Sequence, residues 1–273
     1  MSPANATLVN GALRIRVDDT STDPSYPYTS GYIESLGTFA STYGKVEFRA
    51  RFPYAAGVWH AMWGRAWFEA FPEIDIEILN TAAIPRSQVY FVNHWAAPPI
   101  PADERRSYVT FSDTDVSTFH TYTVSWTPNH LEWAMDGVTK MQSSGQGVPT
   151  KPVYWIINSW VGGWAGPPPV TTAFEVDYFR VYRVDGLIAD PELHLVNPAA
   201  RYARTDAIRV AAANFDEVCA HVEMYDGGAL VKTTSTAPYR FSLARLASGP
   251  HQLTFVATDG TRRTTTTLDT QIQ

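Results

Sequence analysis

The residues Glu73-Ile74-Asp75-Ile76-Glu77 alternate three carboxylates with two isoleucines. A period of two belongs to a β-strand, in which residues i, i+2 and i+4 share one face. All three acids therefore point one way and both isoleucines the other. The isoleucines require a core behind the strand. The acids gain nothing from one another, because like charges side by side raise the cost of ionisation. A solvated face would explain such a row in a neutral setting. Here the flanks are aromatic, with Trp59, Trp63, Trp67, Phe68 and Phe71 before it and Trp95 after it. Aromatic rings stack on sugar faces and paired carboxylates cleave glycosidic bonds, so the stretch reads as part of a carbohydrate cleft.

The same period runs through the chain. Leu13, Ile15 and Val17 alternate with Arg14 and Arg16, and Val46, Phe48, Ala50 and Phe52 share a face. Strands are predicted over Tyr32 to Phe39, Val89 to Trp95, Thr121 to Trp126, Leu131 to Met135, Val153 to Trp160 and Phe174 to Tyr182, and an aromatic segment over Val58 to Trp67. Asp136-Gly137 is a hairpin signal. No helical period is sustained before residue 185, so the class is all-β, a sandwich or barrel. Near Val184 to Pro191 the composition changes, and no tryptophan follows. This places one domain over 1–185 and a second over 190–273. The second reads as about seven short strands with turns at Asp226-Gly227-Gly228 and Asp259-Gly260, a pattern that fits a small immunoglobulin-like sandwich.

Charge and cysteine content exclude other classes. A formal charge of −6 disfavours nucleic acid. The single Cys219 excludes an internal disulfide and a cysteine-based zinc site. The first residues lack the basic and apolar regions of a signal peptide, and no apolar run is long enough to span a membrane.

The first domain resembles glycoside hydrolase family 16, the laminarinase and lichenase group. The resemblance rests on Glu73 to Glu77 and on surrounding segments that occur in family order. These are Tyr28 to Gly31, Tyr43 to Glu47, Gly57 to Trp59, Phe119 to Pro128, Asp136-Gly137, Ile157-Asn158, Val161 to Gly163 and Glu175 to Tyr182. It implies a concanavalin-like β-jelly-roll and a retaining endo-glycosidase acting on β-1,3- or mixed β-1,3/1,4-glucans. Alternatives are another polysaccharide such as a galactan, transglycosylation, or a non-catalytic sugar-binding or adhesin protein. By the resemblance Glu73 is the nucleophile, Glu77 the general acid/base and Asp75 the carboxylate between them. Asp75 would position Glu73 through a shared proton or hydrogen bond, and its negative charge would help hold a proton on Glu77. Asn158, Trp160, Trp59 and Trp164 match cleft positions, His94 lies on the neighbouring strand, and Phe71 keeps a ring two residues before Glu73.

The resemblance also implies a polysaccharide partner and an extracellular or surface location. It implies no cofactor and no metal, since the structural calcium of some members retains only Gly11 and Asp177 of its ligands here. Family members carry further residues before the position of Asn10-Gly11. A sheet edge is therefore expected near Leu8 to Val17, exposed or covered by a partner chain.

Overall fold

The structure, a computed structural model, describes residues 1–66, 71–95, 106–111, 114–162, 171–184, 186–187, 189–215 and 221–273. It divides into two compact units. One comprises Met1–Glu34 with Tyr43–Leu187, the other Ser35–Thr42 with Ile188–Gln273. Helical structure among the described residues is confined to 3-10 turns such as Pro3–Asn5 and Gly145–Gly147. No described helix is long and apolar enough to cross a membrane.

The first unit holds β1 (Ala6–Val9), β2 (Ala12–Asp18), β3 (Thr29–Ser30), β4 (Tyr32–Glu34), β5 (Gly44–Arg51), β6 (Val58–Ala66) and β7 (Glu73–Thr81). It continues with β8 (Ile84–His94), β9 (Arg106–Phe111), β10 (His120–Thr127), β11 (His130–Met135), β12 (Val138–Ser144), β13 (Val153–Val161) and β14 (Thr171–Tyr182). One sheet runs β1-β2-β14-β5-β10-β11-β12, with β3 also on β2; the other runs β4-β13-β6-β7-β8-β9. This is a jelly-roll sandwich whose core lies between the sheets. Phe48, Val124 and Trp133 enter it from the first sheet, and Met62, Ile74, Ile76 and Trp155 from the second. The two isoleucines of the acidic stretch are fully buried. Their burial fixes which face of β7 carries the acids, because a one-residue slip would expose both.

Two hairpins show how local sequence sets the register. Asn10 and Gly11, and again Asp136 and Gly137, take positive φ. Two such residues in succession make the tight turn whose twist matches paired strands.

Two expectations are corrected. The strand foreseen over Tyr32 to Phe39 stops at Glu34. The backbone N–H groups of Thr38 and Phe39 turn back onto the Ser35 carbonyl, and Gly37 has φ +79, so a turn replaces the extended chain. The edge foreseen near Leu8 to Val17 is narrower than that. β2 is paired on both sides, by β1 and β3 and by β14, so the edge strand is β1, where Leu8 is exposed.

The second unit contains β15 (Glu192–Leu195), β16 (Arg201–Tyr202), β17 (Ala207–Ala213), β18 (His221–Asp226), β19 (Ala229–Thr234), β20 (Tyr239–Ser242), β21 (Gly249–Thr258) and β22 (Arg263–Ile272). They form sheets ordered β15-β17-β20 and β16-β22-β21-β18-β19. Val210, Val222, Tyr239, Phe241 and Phe255 are among the residues that fill its core.

Candidate active site

β7 lies between β6 and β8, and register determines what stands beside each acid. Glu73 is opposite Arg65 on β6 and His94 on β8, and Asp75 is opposite Trp63 and Val92. Glu77 is opposite Ala61 and Tyr90. Beyond β6, strand β13 sets Tyr154 beside Arg65, Asn158 beside Ala61 and Trp160 beside Trp59. The outer face of the sheet thus carries the three acids in the middle and rings along β6 and β13. A cleft of about 350 Å³ is lined there by Trp59, Ala61, Trp63, Glu73, Asp75, Glu77, Trp160, Val161 and Gly162.

The carboxyls differ in environment. Asp75 is 1% exposed, and its Oδ2 accepts no hydrogen bond from the described residues. Burial, and then the charges of Glu73 and Glu77, hold its carboxyl well above the usual carboxylate range. Burial also pushes Glu73 up, to about 6, against the pull of Arg65. His94 Nε2 lies 3.7 Å from Glu73 Oε1 and 3.6 Å from Asp75 Oδ2. From the opposite sheet, the buried Trp133 indole N–H donates to the Asp75 carbonyl at 3.1 Å, which ties β7 to the core behind the cluster. Of the two roles foreseen for Asp75, this environment favours the proton-bearing one. A buried carboxyl between two acids holds its proton more tightly than a solvated one.

The foreseen sugar-contacting residues have distinct placements. Trp59 and Trp160 line the cleft, and Trp160 is 47% exposed. The Phe71 ring lies 6.0 Å from the His94 ring, beside Glu73. Asn158 is on the expected face but fully buried, where its Oδ1 accepts the Trp63 indole N–H at 2.9 Å. It can hold the Trp63 ring in place. Trp164, like Trp67, Phe68 and Cys219, lies outside the described residues.

Two residues were not singled out for the site from sequence. Trp63 forms part of the cleft wall, and Arg65 faces Glu73. Parity along β6 was the available signal, since 59, 61, 63 and 65 must share a face.

Glu73, Asp75 and His94 are also the one group among the described residues with ligand atoms close enough to hold a metal ion, all within 4.8 Å. The calcium site of the resemblance fits poorly: Asp177 Oδ2 is engaged by Arg49 Nη1 at 2.5 Å, so a guanidinium already meets that charge.

Comparison with known proteins gives a consistent result. The pattern of the family described as "Glycosyl hydrolases family 16" matches residues 2–180. The chain is 29% identical over 168 residues to the endo-1,3-1,4-beta-glycanase ExsH of Rhizobium meliloti, covering 59% of this chain and 34% of that protein. It is 28% identical over 203 residues to a keratan-sulfate endo-1,4-beta-galactosidase of Sphingobacterium multivorum, covering 67% of this chain and 47% of that one. Among solved structures, the laminarinase catalytic domain of Thermotoga maritima superposes with a TM-score of 0.57 at 27% identity, covering 67% of this chain and 82% of that one. The chain therefore spans between a third and a half of the length of these curated relatives.

Proposed function

The chain belongs to glycosyl hydrolases family 16, and from that premise we propose that it is a retaining endo-glycosidase hydrolysing β-1,3- or mixed β-1,3/1,4-glucans. One observation carries the reading. Glu73 and Glu77 flank a buried Asp75 on a single strand face and line one cleft with Trp59, Trp63 and Trp160. Two carboxyls for chemistry and three rings for sugar faces are what glycoside cleavage requires.

In the first step the Glu73 carboxylate attacks the anomeric carbon. Glu77 gives its proton to the departing glycosidic oxygen as that bond breaks, leaving a glycosyl ester on Glu73. In the second step Glu77, now a carboxylate, takes a proton from water. The water oxygen attacks the same carbon, and the ester bond to Glu73 breaks. Two inversions leave the product in the β configuration. Asp75, holding a proton between them, can donate a hydrogen bond to Glu73 and so orient it. No step requires a metal or cofactor.

Similarity to a keratan-sulfate endo-1,4-beta-galactosidase supports a second reading, the same chemistry on a galactose-containing chain. The eight strands of the second unit's described residues, in sheets of three and five, support an immunoglobulin-like module that spaces the catalytic unit or binds glycan. A polymeric glycan substrate puts the site of action outside the cell.

Reducing-end release over a panel of β-glucans and galactans separates the two substrates. Proton NMR of the first product tests the mechanism, and initial release of the α anomer would overturn it. Glu77→Ala should be slow on glucans and should recover in part with added azide on a substrate carrying a good leaving group.

A further inference from the structure

We propose that Arg65 is a positioning residue for the nucleophile: held by Tyr154, its guanidinium faces Glu73 across the β6–β7 ladder and keeps that carboxyl anionic and aimed into the cleft. This rests on the reading of Glu73 as nucleophile. The geometry comes first. Arg65 is the direct cross-strand partner of Glu73, and Tyr154 is the direct partner of Arg65 on its other side. Directly opposed residues on one sheet face have Cβ atoms about 4.5–5.5 Å apart, within easy reach of an arginine. The Tyr154 hydroxyl oxygen accepts a hydrogen bond from the Arg65 guanidinium. Tyr154 is 7% exposed, so it is a rigid support. One strand further, on β4, the Tyr32 hydroxyl donates to Glu34 at 2.8 Å, and that carboxylate acts on Tyr154. The four side chains form a polar strip from the sheet edge to the nucleophile.

The other groups around Glu73 make this cation matter. Asp75 and Glu77 stand on the same face of its own strand, and burial raises the Glu73 carboxyl. His94 Nε2 on β8 lies 3.7 Å away. A guanidinium is a fixed cation at the pH values proteins meet. Arg65 is the permanent cation among the described groups facing Glu73, and it pulls against the burial that raises Glu73. A nucleophile must be ionised to attack, so a carboxyl this buried needs such a partner.

The test uses the full chain and titrates the Glu73 carboxyl by 13C NMR with labelled glutamate, the resonance being assigned by its loss in Glu73→Gln. In Arg65→Gln the midpoint should rise by about one pH unit, which is about a ten-fold loss of the ionised form on the acid side. Where a glucan substrate is turned over, the acid limb of kcat/KM should move with it. Arg65→Lys should restore most of the shift, and Tyr154→Phe should show a smaller rise in the same direction. An unchanged Glu73 midpoint in Arg65→Gln overturns the proposal. Should that variant not fold, an unchanged midpoint in Tyr154→Phe does so. The titration needs no substrate, so it decides the role of Arg65 even if the glucan panel shows no turnover.

Discussion

Glu73 illustrates a residue whose function works against stability. Its carboxyl is raised to about 6 in the folded chain by burial, above the ordinary value of 4.5. The folded state therefore binds the proton more tightly than the unfolded one. Stability is fully present below about pH 4.5 and declines as pH rises through 6, by on the order of 2 kcal/mol. Glu73→Gln, which cannot ionise, should abolish turnover, because an amide is not a competent nucleophile. It should also raise the melting temperature at pH 7.5 while leaving it unchanged at pH 4. Equal melting temperatures at both values, or retained activity, would contradict this account. The three acids were readable from alternation alone, because a period of two leaves them no choice of face. Trp63 and Arg65 obey the same parity, but parity alone does not say which strand lies beside the acids. That Asn158 is covered was not readable at all, since burial behind a neighbour's ring depends on β6 and β13 being in contact.

At the scale of elements, β6 and β13 are joined by a buried polar pair within the core. His60 and Ser159 are directly opposed, and His60 Nδ1 lies 2.7 Å from Ser159 Oγ. Burial pushes the His60 imidazole down to about 3. Here the folded value is depressed, so the unfolded chain binds the proton first. Stability is present above about pH 6.5 and is lost as pH falls toward 3, at about 1.4 kcal/mol per unit. His60→Leu should flatten that part of the profile in urea titrations between pH 6.5 and 4, although Ser159 then lacks its partner and the overall stability drops. An unchanged slope would show that His60 is not the acid-sensitive group. On the eight-stranded sheet, the Arg49–Asp177 pair argues that calcium contributes little. Chelator should shift the melting temperature by less than about 2 °C, under roughly 1 kcal/mol for a domain of this size. A large drop would mean that a metal displaces Arg49. Long strands such as β5, β10 and β13 were legible because each has an apolar face to bury, whereas β12, mostly exposed, gave no such signal. β15, β16 and β20 were not, because segments of two to four residues owe their extended form to the neighbour they pair with rather than to their own pattern.

For the whole molecule, chain order and compact unit do not coincide. A change in composition near residue 185 marks where tryptophan ends, but nothing in the composition of Ser35–Thr42 assigns it to the second unit. That segment is held by long-range contacts. The Thr42 backbone N–H donates to Asn214 Oδ1 at 2.7 Å, Asn214 Nδ2 returns a bond to Thr42 Oγ1, and Gly37 lies near Val196 and Pro238. Asn214 takes a positive φ of 62, which suits asparagine better than most side chains. Every acid and ring of the described cleft belongs to the first unit. Residues 1–187 expressed alone should therefore keep the intrinsic rate on a short soluble oligosaccharide to within about two-fold. The piece should nevertheless melt several degrees lower, because Ser35–Thr42 loses both hydrogen bonds, at about 1 kcal/mol each, along with its packing. Replacing 35–42 by a short glycine-containing turn in that piece should recover part of the loss. Circular dichroism establishes that the piece is folded, and the rate is then measured on the folded fraction. A folded piece with native melting that had lost its rate would mean the second unit contributes to the reaction. A folded piece with a lowered melting temperature and a retained rate would mean that its contribution is to stability, and binding to insoluble glucan by the two forms would then measure whether it also holds long glycans.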